Sequence, residues 1–305
     1  MNILYRKAPA ARPGALTLVI ILLSLILVPD NAFCQRKDTD AKWPRDNARK
    51  CRERKVLDEA GLRIRYAFNA EDIRDRNTWI DEGQLKIGKT MTNYSSYFEE
   101  DNEDSLAVWL NAHPNSNVWP PARWLRGHKP DHWIEYQYSN INIKGNTLEE
   151  WATMPFAIDN ENLHYTETLP LQKWSITKDT MTVCGYPCIK ATCRWRGRDY
   201  TAWFTTDIPV SCGPWKFGGL PGLIMKISDN DNIYSWEAVT VETGNFHIFA
   251  PRGRKYSEST REKVLKLQRE LNENYFKTTG TTVIIYKTGQ PLSSRMHPYT
   301  QLELE

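Results

Sequence analysis

Apolar and polar residues alternate along this chain mostly in short runs. Leu62, Ile64, Tyr66 and Phe68 are separated by Arg63, Arg65 and Ala67, the period-two pattern of a strand with one buried face. The pattern returns over residues 84 to 90, where Leu85 and Ile87 alternate with Lys86 and Gly88, and again around 94 to 98. Successive antiparallel strands are predicted there. An acidic stretch, Glu99 to Asp104, ends at Ser105, which predicts a capped short helix over 106 to 112 that stops before Pro114. Over 257 to 277, Val264, Leu267 and Leu271 recur at helical spacing among charged residues, which predicts an amphipathic helix packed on the sheet. Residues 281 to 287 read as one further strand and 290 to 305 as a frayed polar tail.

The strongest alternation lies between Lys173 and Asp229. A two-residue turn at Gly197 and Arg198, with Arg196 opposite Asp199, gathers Ile189, Ala191, Cys193, Trp195, Tyr200, Ala202, Phe204 and Thr206 on one face. The other face then carries Cys188, Lys190, Thr192, Arg194 and Arg196 from one strand, and Asp199, Thr201, Trp203, Thr205 and Asp207 from its partner. Extending the ladder brings Cys184 opposite Ser211, beside Cys212, so Cys184 to Cys212 is the disulfide candidate.

The beginning of the chain changes the picture of where it works. Arg6, Lys7 and Arg12 precede an apolar run from Ala15 to Val28, and Pro29 and Asp30 follow, the layout of a signal peptide over residues 1 to 34 with cleavage after Cys34. That run is 14 residues, short of the roughly 20 that a spanning helix needs. Residues 35 to 55 are charged and poor in aliphatics, as a solvated tail is, and one β-rich domain is expected over 56 to 289. Without the leader, 37 basic side chains face 36 acidic ones, so no electrostatic footprint argues for nucleic acid. Export to an oxidising compartment favours disulfides over structural zinc.

Metal chemistry finds little support. Cys184 to Cys193 contains no C-x-x-C pair, and Pro130 between His128 and His132 argues against a helical ligand pair. The acidic run at 99 to 104 lacks the alternating ligands and central glycine of a calcium loop, and Asp229 to Asn232 reads as a hairpin turn. No metal and no cofactor are expected.

Downstream of the hairpin runs Gly213-Pro214-Trp215-Lys216-Phe217-Gly218-Gly219-Leu220-Pro221-Gly222-Leu223-Ile224. Its last six residues are the name motif of the GLPGLI family, exported proteins of Gram-negative bacteria without an established biochemical function. The chain resembles that family further at Gly185-Tyr186-Pro187-Cys188, Lys190-Ala191, Arg196-Gly197-Arg198, Ala202-Trp203, Ile208-Pro209 and Gly213-Pro214. The motif turn, Gly218, Gly219, Leu220, Pro221 and Gly222, fits a type II turn with Pro221 and Gly222 at its centre. Bare amides at Gly218, Gly219 and Gly222 holding an anion are the functional alternative.

The expected fold is mainly β, a β-rich α+β domain: a strongly curved antiparallel sheet or open half-barrel with one amphipathic C-terminal helix and short helices. No G-x-S-x-G, H-E-x-x-H, P-loop or dinucleotide fingerprint is present. Cys188 as a nucleophile competes with Cys188 as a buried or bridged thiol. Candidate binding residues are Trp203, Lys190, Arg194 and Arg196, an aromatic ring among cations that suits a peptide, glycan or anionic group. The resulting expectation is a cell-envelope accessory or binding protein, periplasmic or associated with the outer membrane, whose partner is an envelope protein, peptide or glycan. A motif-free envelope hydrolase and a half-barrel carrier of a lipid or other apolar molecule are the alternatives.

Overall fold

A computed structural model describes residues 55–113, 134–251, 255–280 and 299–305. The expected leader, the charged tail up to Arg54, His128, His132 and the strand over 281 to 287 lie outside the described residues.

Among the described residues, twelve strands form one open sheet. In chain order they are β1 (Val56–Phe68), β2 (Asp81–Gly88), β3 (Thr92–Ser96), β4 (Ser139–Lys144), β5 (Thr147–Ala152), β6 (Leu163–Thr168), β7 (Ser175–Val183), β8 (Tyr186–Trp195), β9 (Arg198–Thr205), β10 (Leu223–Asp229), β11 (Ser235–Phe249) and β12 (Ser257–Glu258). Across the sheet they run β12-β6-β5-β4-β3-β2-β1-β11-β10-β9-β8-β7, antiparallel throughout except for the parallel β12–β6 pair. Helices α1 (Tyr97–Ala112), α2 (Glu135–Tyr138) and α3 (Arg261–Thr279) complete the described elements together with two short 3-10 turns. The β-rich, open architecture is the one that the alternation predicts.

One sheet face carries the core. Ile64, Tyr66 and Phe68 on β1 join Leu85 on β2, Ile141 on β4, Leu148 on β5, Tyr200 and Phe204 on β9 and Trp236 on β11, all buried. Against this inner face pack Val264 and Leu271 of α3, Trp215, Phe217 and Leu220 of the loop before β10, and Leu302. The 3.6-residue spacing read from the sequence thus marks the stripe that α3 buries. A smaller cluster of Ala67, Trp79 and Phe98 lies apart from this core.

Several boundaries differ from expectation. Helix α1 starts nine residues before the predicted position: Ser96 Oγ accepts from the Glu99 amide at 3.0 Å, so Ser96 is the cap and the acidic run forms the first turns of the helix. Glutamates there face the positive end of the helix dipole, which makes an acidic run a good start and not only a preface. Residues 257 and 258 pair with β6 as β12, and α3 begins after Thr260, whose hydroxyl takes the Lys263 amide. Its far end closes on Gly280 at φ 66°.

The main hairpin turns one residue earlier than expected. Arg196 and Gly197, at φ 51° and 79°, are its central residues, and Trp195 pairs with Arg198. Positive φ at both central positions is the backbone of the hairpin turn whose twist suits the flanking strands. Each residue of β9 therefore meets a partner two positions away from the expected one, which preserves the faces. Ala191, Cys193 and Trp195 still share the core with Tyr200, Ala202 and Phe204, while Ile189 is half-buried and Thr206 falls beyond β9. Asp199 pairs with Arg194 instead of Arg196, at 3.1 Å.

At the opposite side of the sheet, β7 is a largely exposed edge, interrupted by an irregularity between Ile176 and Thr180.

Asp81, at the start of β2, accepts from Ser96 Oγ at 2.7 Å and is fully buried; burial, the largest cause, raises its pKa to about 7. A folded-state pKa above the unfolded one means that the folded form holds the proton more tightly. Its contribution is present below about pH 4 and is lost as pH rises towards 7. Asp81→Asn is therefore expected to flatten the fall in Tm between pH 5 and 8, measured by thermal melts in matched buffers.

Candidate functional site

The residues predicted to bind separate into two places. Lys190 and Trp203 are cross-strand partners, and the ammonium lies 5.9 Å from the half-buried indole. Lys226 of β10 faces Trp203 from the other side in the ladder. Three cations of this outer face each hold a carboxylate: Lys190 to Asp179 at 3.2 Å, Lys226 to Glu237 at 2.7 Å and Arg194 to Asp199 at 3.1 Å. Thr192 and Thr201 sit between the Lys190–Trp203 and Arg194–Asp199 pairs. The result is a ring bounded by neutralised charges and hydroxyls. That setting suits stacking and hydrogen bonding better than capture of a free anion.

Arg196 is not part of it. Placed in the turn, it lies buried over the Trp195 ring at 5.2 Å and reaches Glu167 at 2.7 Å and Glu303 at 3.5 Å. The register explains the difference, because a turn residue leaves the alternation of faces.

The motif turn is also built differently from expectation. Gly222 N donates to Leu220 O at 2.8 Å, a three-residue turn around Pro221, and Leu223 N bonds Ile208 O at 3.1 Å. The left-handed residue is Gly219, at φ 82°. Gly222 serves close approach: a Cβ there would stand 2.0 Å from the Thr205 carbonyl oxygen. Leu220, Leu223 and Ile224 are buried, and the Gly218 amide is taken by Gln172 Oε1 at 2.9 Å. Two of the three amides expected to be bare, those of Gly218 and Gly222, are thus bonded within the chain, and the buried leucines and isoleucine make the turn part of the packing.

Beneath it lies a site that the sequence reading missed. Lys216, between Trp215 and Phe217, is 1 % exposed on the inner face. Its Nζ meets Glu150 at 2.8 Å and Tyr165 Oη at 2.9 Å, and pairs closely with Glu303. Tyr165 donates to Glu150 at 2.6 Å, and Ser139 Oγ donates to the same carboxylate at 2.9 Å. Glu303 is shared with Arg261 at 2.5 Å and with Arg196. Burial works against the Lys216 charge, but Glu150 and Glu303 outweigh it and hold the ammonium pKa above its ordinary value. Burial likewise opposes the Glu303 charge, and Lys216, Arg261 and Arg196 outweigh it and lower its pKa. Next to this centre, Arg198 and Asp229 form a buried pair at 3.0 Å.

Glu303 belongs to a segment expected to fray. Instead, residues 299–305 enter the inner cleft, with Gln301, Leu302 and Glu303 buried. Its composition is polar, but the polar groups meet partners of opposite character supplied by distant strands. The only available sequence signal was a lysine between two aromatics in a run otherwise of glycine, proline and aliphatics.

Cys184, Cys188, Cys193 and Cys212 are free thiols in this structure, so the expected Cys184–Cys212 bridge is not formed. The reason is local: Cys184, at φ 50°, and Gly185, at φ 84°, make the two-residue turn between β7 and β8, and the ladder does not extend to Cys184. Burial pushes the Cys188 thiol up to about 11, which leaves it protonated and weakly nucleophilic at neutral pH. Among the described residues, no group of three or more His, Cys, Asp and Glu is placed to hold a metal, and no helix is long and apolar enough to cross a membrane.

Residues 196–226 match the model of a family described as a protein of unknown function (Porph_ging). The match opens at the hairpin turn and closes within β10, so it includes Arg196, Arg198, Lys216 and the motif turn. No curated protein shows a significant match. Among solved structures, those of PNGF-II in the C2 and P21 space groups align with TM-scores of 0.44 and 0.46, at 16% and 15% identity. Each alignment covers 71% of this chain and 34% of that one, so the chain spans about a third of those structures.

Proposed function

We propose that this chain is an exported accessory or binding protein of the cell envelope, as its leader pattern and its resemblance to the GLPGLI family suggest. Its outer face around Trp203 takes a peptide or a glycan. The observation that carries this reading is the half-buried indole of Trp203 set in a sheet face between Lys190 and Lys226, with both ammonium groups held in place by carboxylates. An indole so framed offers a flat apolar surface with polar groups at its rim, the arrangement that stacks on a sugar ring or a peptide plane. The lipid-carrier alternative loses ground because the inner face is already packed by α3, Trp215, Phe217 and Leu302.

Trp203→Ala is expected to weaken binding of peptidoglycan fragments or envelope peptides at least tenfold, read by calorimetric titration, while the near-UV circular dichroism keeps its native form. Binding that survives the substitution would remove the Trp203 face as the site. The export reading is tested separately, by cell fractionation and by an intact mass that begins at Gln35.

A further inference from the structure

We infer that the inner cleft is itself a recognition site for an extended peptide in which an aliphatic residue precedes an acidic one, and that residues 299–305 are its resident occupant. This site is separate from the Trp203 face and stands or falls independently of it.

The manner in which the segment is held points to recognition of main chain. Arg198 donates from Nη2 to the Gln301 carbonyl at 2.5 Å and from Nε to the Leu302 carbonyl at 2.9 Å. Tyr234 Oη donates to the Thr300 carbonyl, and the Leu304 amide bonds Arg196 O at 3.0 Å. These contacts read main chain and are indifferent to sequence. Two side chains then supply selectivity: Leu302 enters the aromatic core, and the Glu303 carboxylate meets Lys216, Arg196 and Arg261. That is the division of labour of strand-addition sites, in which backbone bonds give affinity and pockets for side chains give choice.

Charge argues that the cleft requires an acidic occupant. Lys216, Arg196 and Arg261 face Glu150, Glu167 and Glu303. Without Glu303, one buried positive charge is left over, and a low-dielectric cleft with an unmatched cation attracts a carboxylate strongly. A resident tethered in the same chain competes at high effective concentration, so the cleft accepts a second peptide only when the resident is weakened.

The test uses the full chain carrying Glu303→Gln and a fluorescent synthetic peptide with the sequence of residues 299 to 305. The peptide is expected to bind the Glu303→Gln chain, to bind the unaltered chain at least tenfold more weakly, and to lose at least tenfold in affinity when its own glutamate at the 303 position is changed to glutamine. A folded Glu303→Gln chain that ignores the peptide, or that binds both peptides alike, would overturn the inference. Native-state hydrogen exchange on the unaltered chain supplies a second measure. The Leu304 amide should exchange by a local opening that leaves β9 protected. Exchange of that amide only together with β9, or failure of the Glu303→Gln chain to fold, would make the segment an inseparable part of the core and defeat the proposal.

Discussion

Lys216→Met is expected to lower the stability of the folded domain by about 3–5 kcal/mol, the cost of removing one partner from a buried ionic cluster. The mechanism is desolvation without compensation. Glu150 and Glu303 are buried around the ammonium, and once it is gone their charges face one another with fewer cations between them. Against a total of about 5–15 kcal/mol for an ordinary domain, such a loss takes much of the margin. Urea unfolding should show a lower midpoint with an unchanged slope. Adding Glu303→Gln to Lys216→Met should cost less than the two single losses combined, because the second change removes a charge that the first left unmatched. The unaltered protein should also weaken in acid. Glu303 has a folded-state pKa below its ordinary value of 4.5, so its contribution is present above that value and is lost as pH falls through the folded pKa.

Gly222→Ala should be at least as damaging, for a steric reason. The added methyl would stand 2.0 Å from the Thr205 carbonyl oxygen and 3.2 Å from the Thr206 Cα. Both are backbone atoms, of the last residue of β9 and of the residue after it, and β10 is paired to β9, so neither neighbour can rotate away. A loss on the order of 3 kcal/mol or more is expected, seen as a collapse of soluble yield or of the thermal midpoint. Gly219→Ala supplies the contrast. Its nearest neighbour is the Trp174 indole nitrogen at 3.6 Å, so the cost is chiefly that of a left-handed backbone, roughly 1–2 kcal/mol. The order of the two substitutions separates close approach from conformational preference within one motif.

The sheet was legible because its rule is local. Ile64, Tyr66 and Phe68 announce a buried face by alternation alone, and Ala191, Cys193 and Trp195 do so again. The face survived an error in the turn because a shift of two residues keeps parity, whereas Arg196 did not, since its place depends on which residues form the turn. The site around Lys216 was illegible for a different reason. Glu150, Tyr165, Arg261 and Glu303 come from distant parts of the chain, and each alone looks like an ordinary surface residue or a strand tyrosine. Charge neutralisation among residues so far apart has no period and no spacing. For the same cause, residues 299–305 read as a solvated tail although their carboxylate and carbonyls are claimed by Lys216, Arg261 and Arg198.

Among the described residues β7 is one end of the open sheet, and its outer backbone groups pair with no described strand. In a crowded compartment such a border invites stacking of copy upon copy into filaments. The register shift between Ile176 and Thr180 puts a bulge into this border with Lys178 and Asp179 inside it, and a bulge and charges are features that work against pairing along an edge. A variant that straightened this border with alternating valine and threonine is expected to seed fibres.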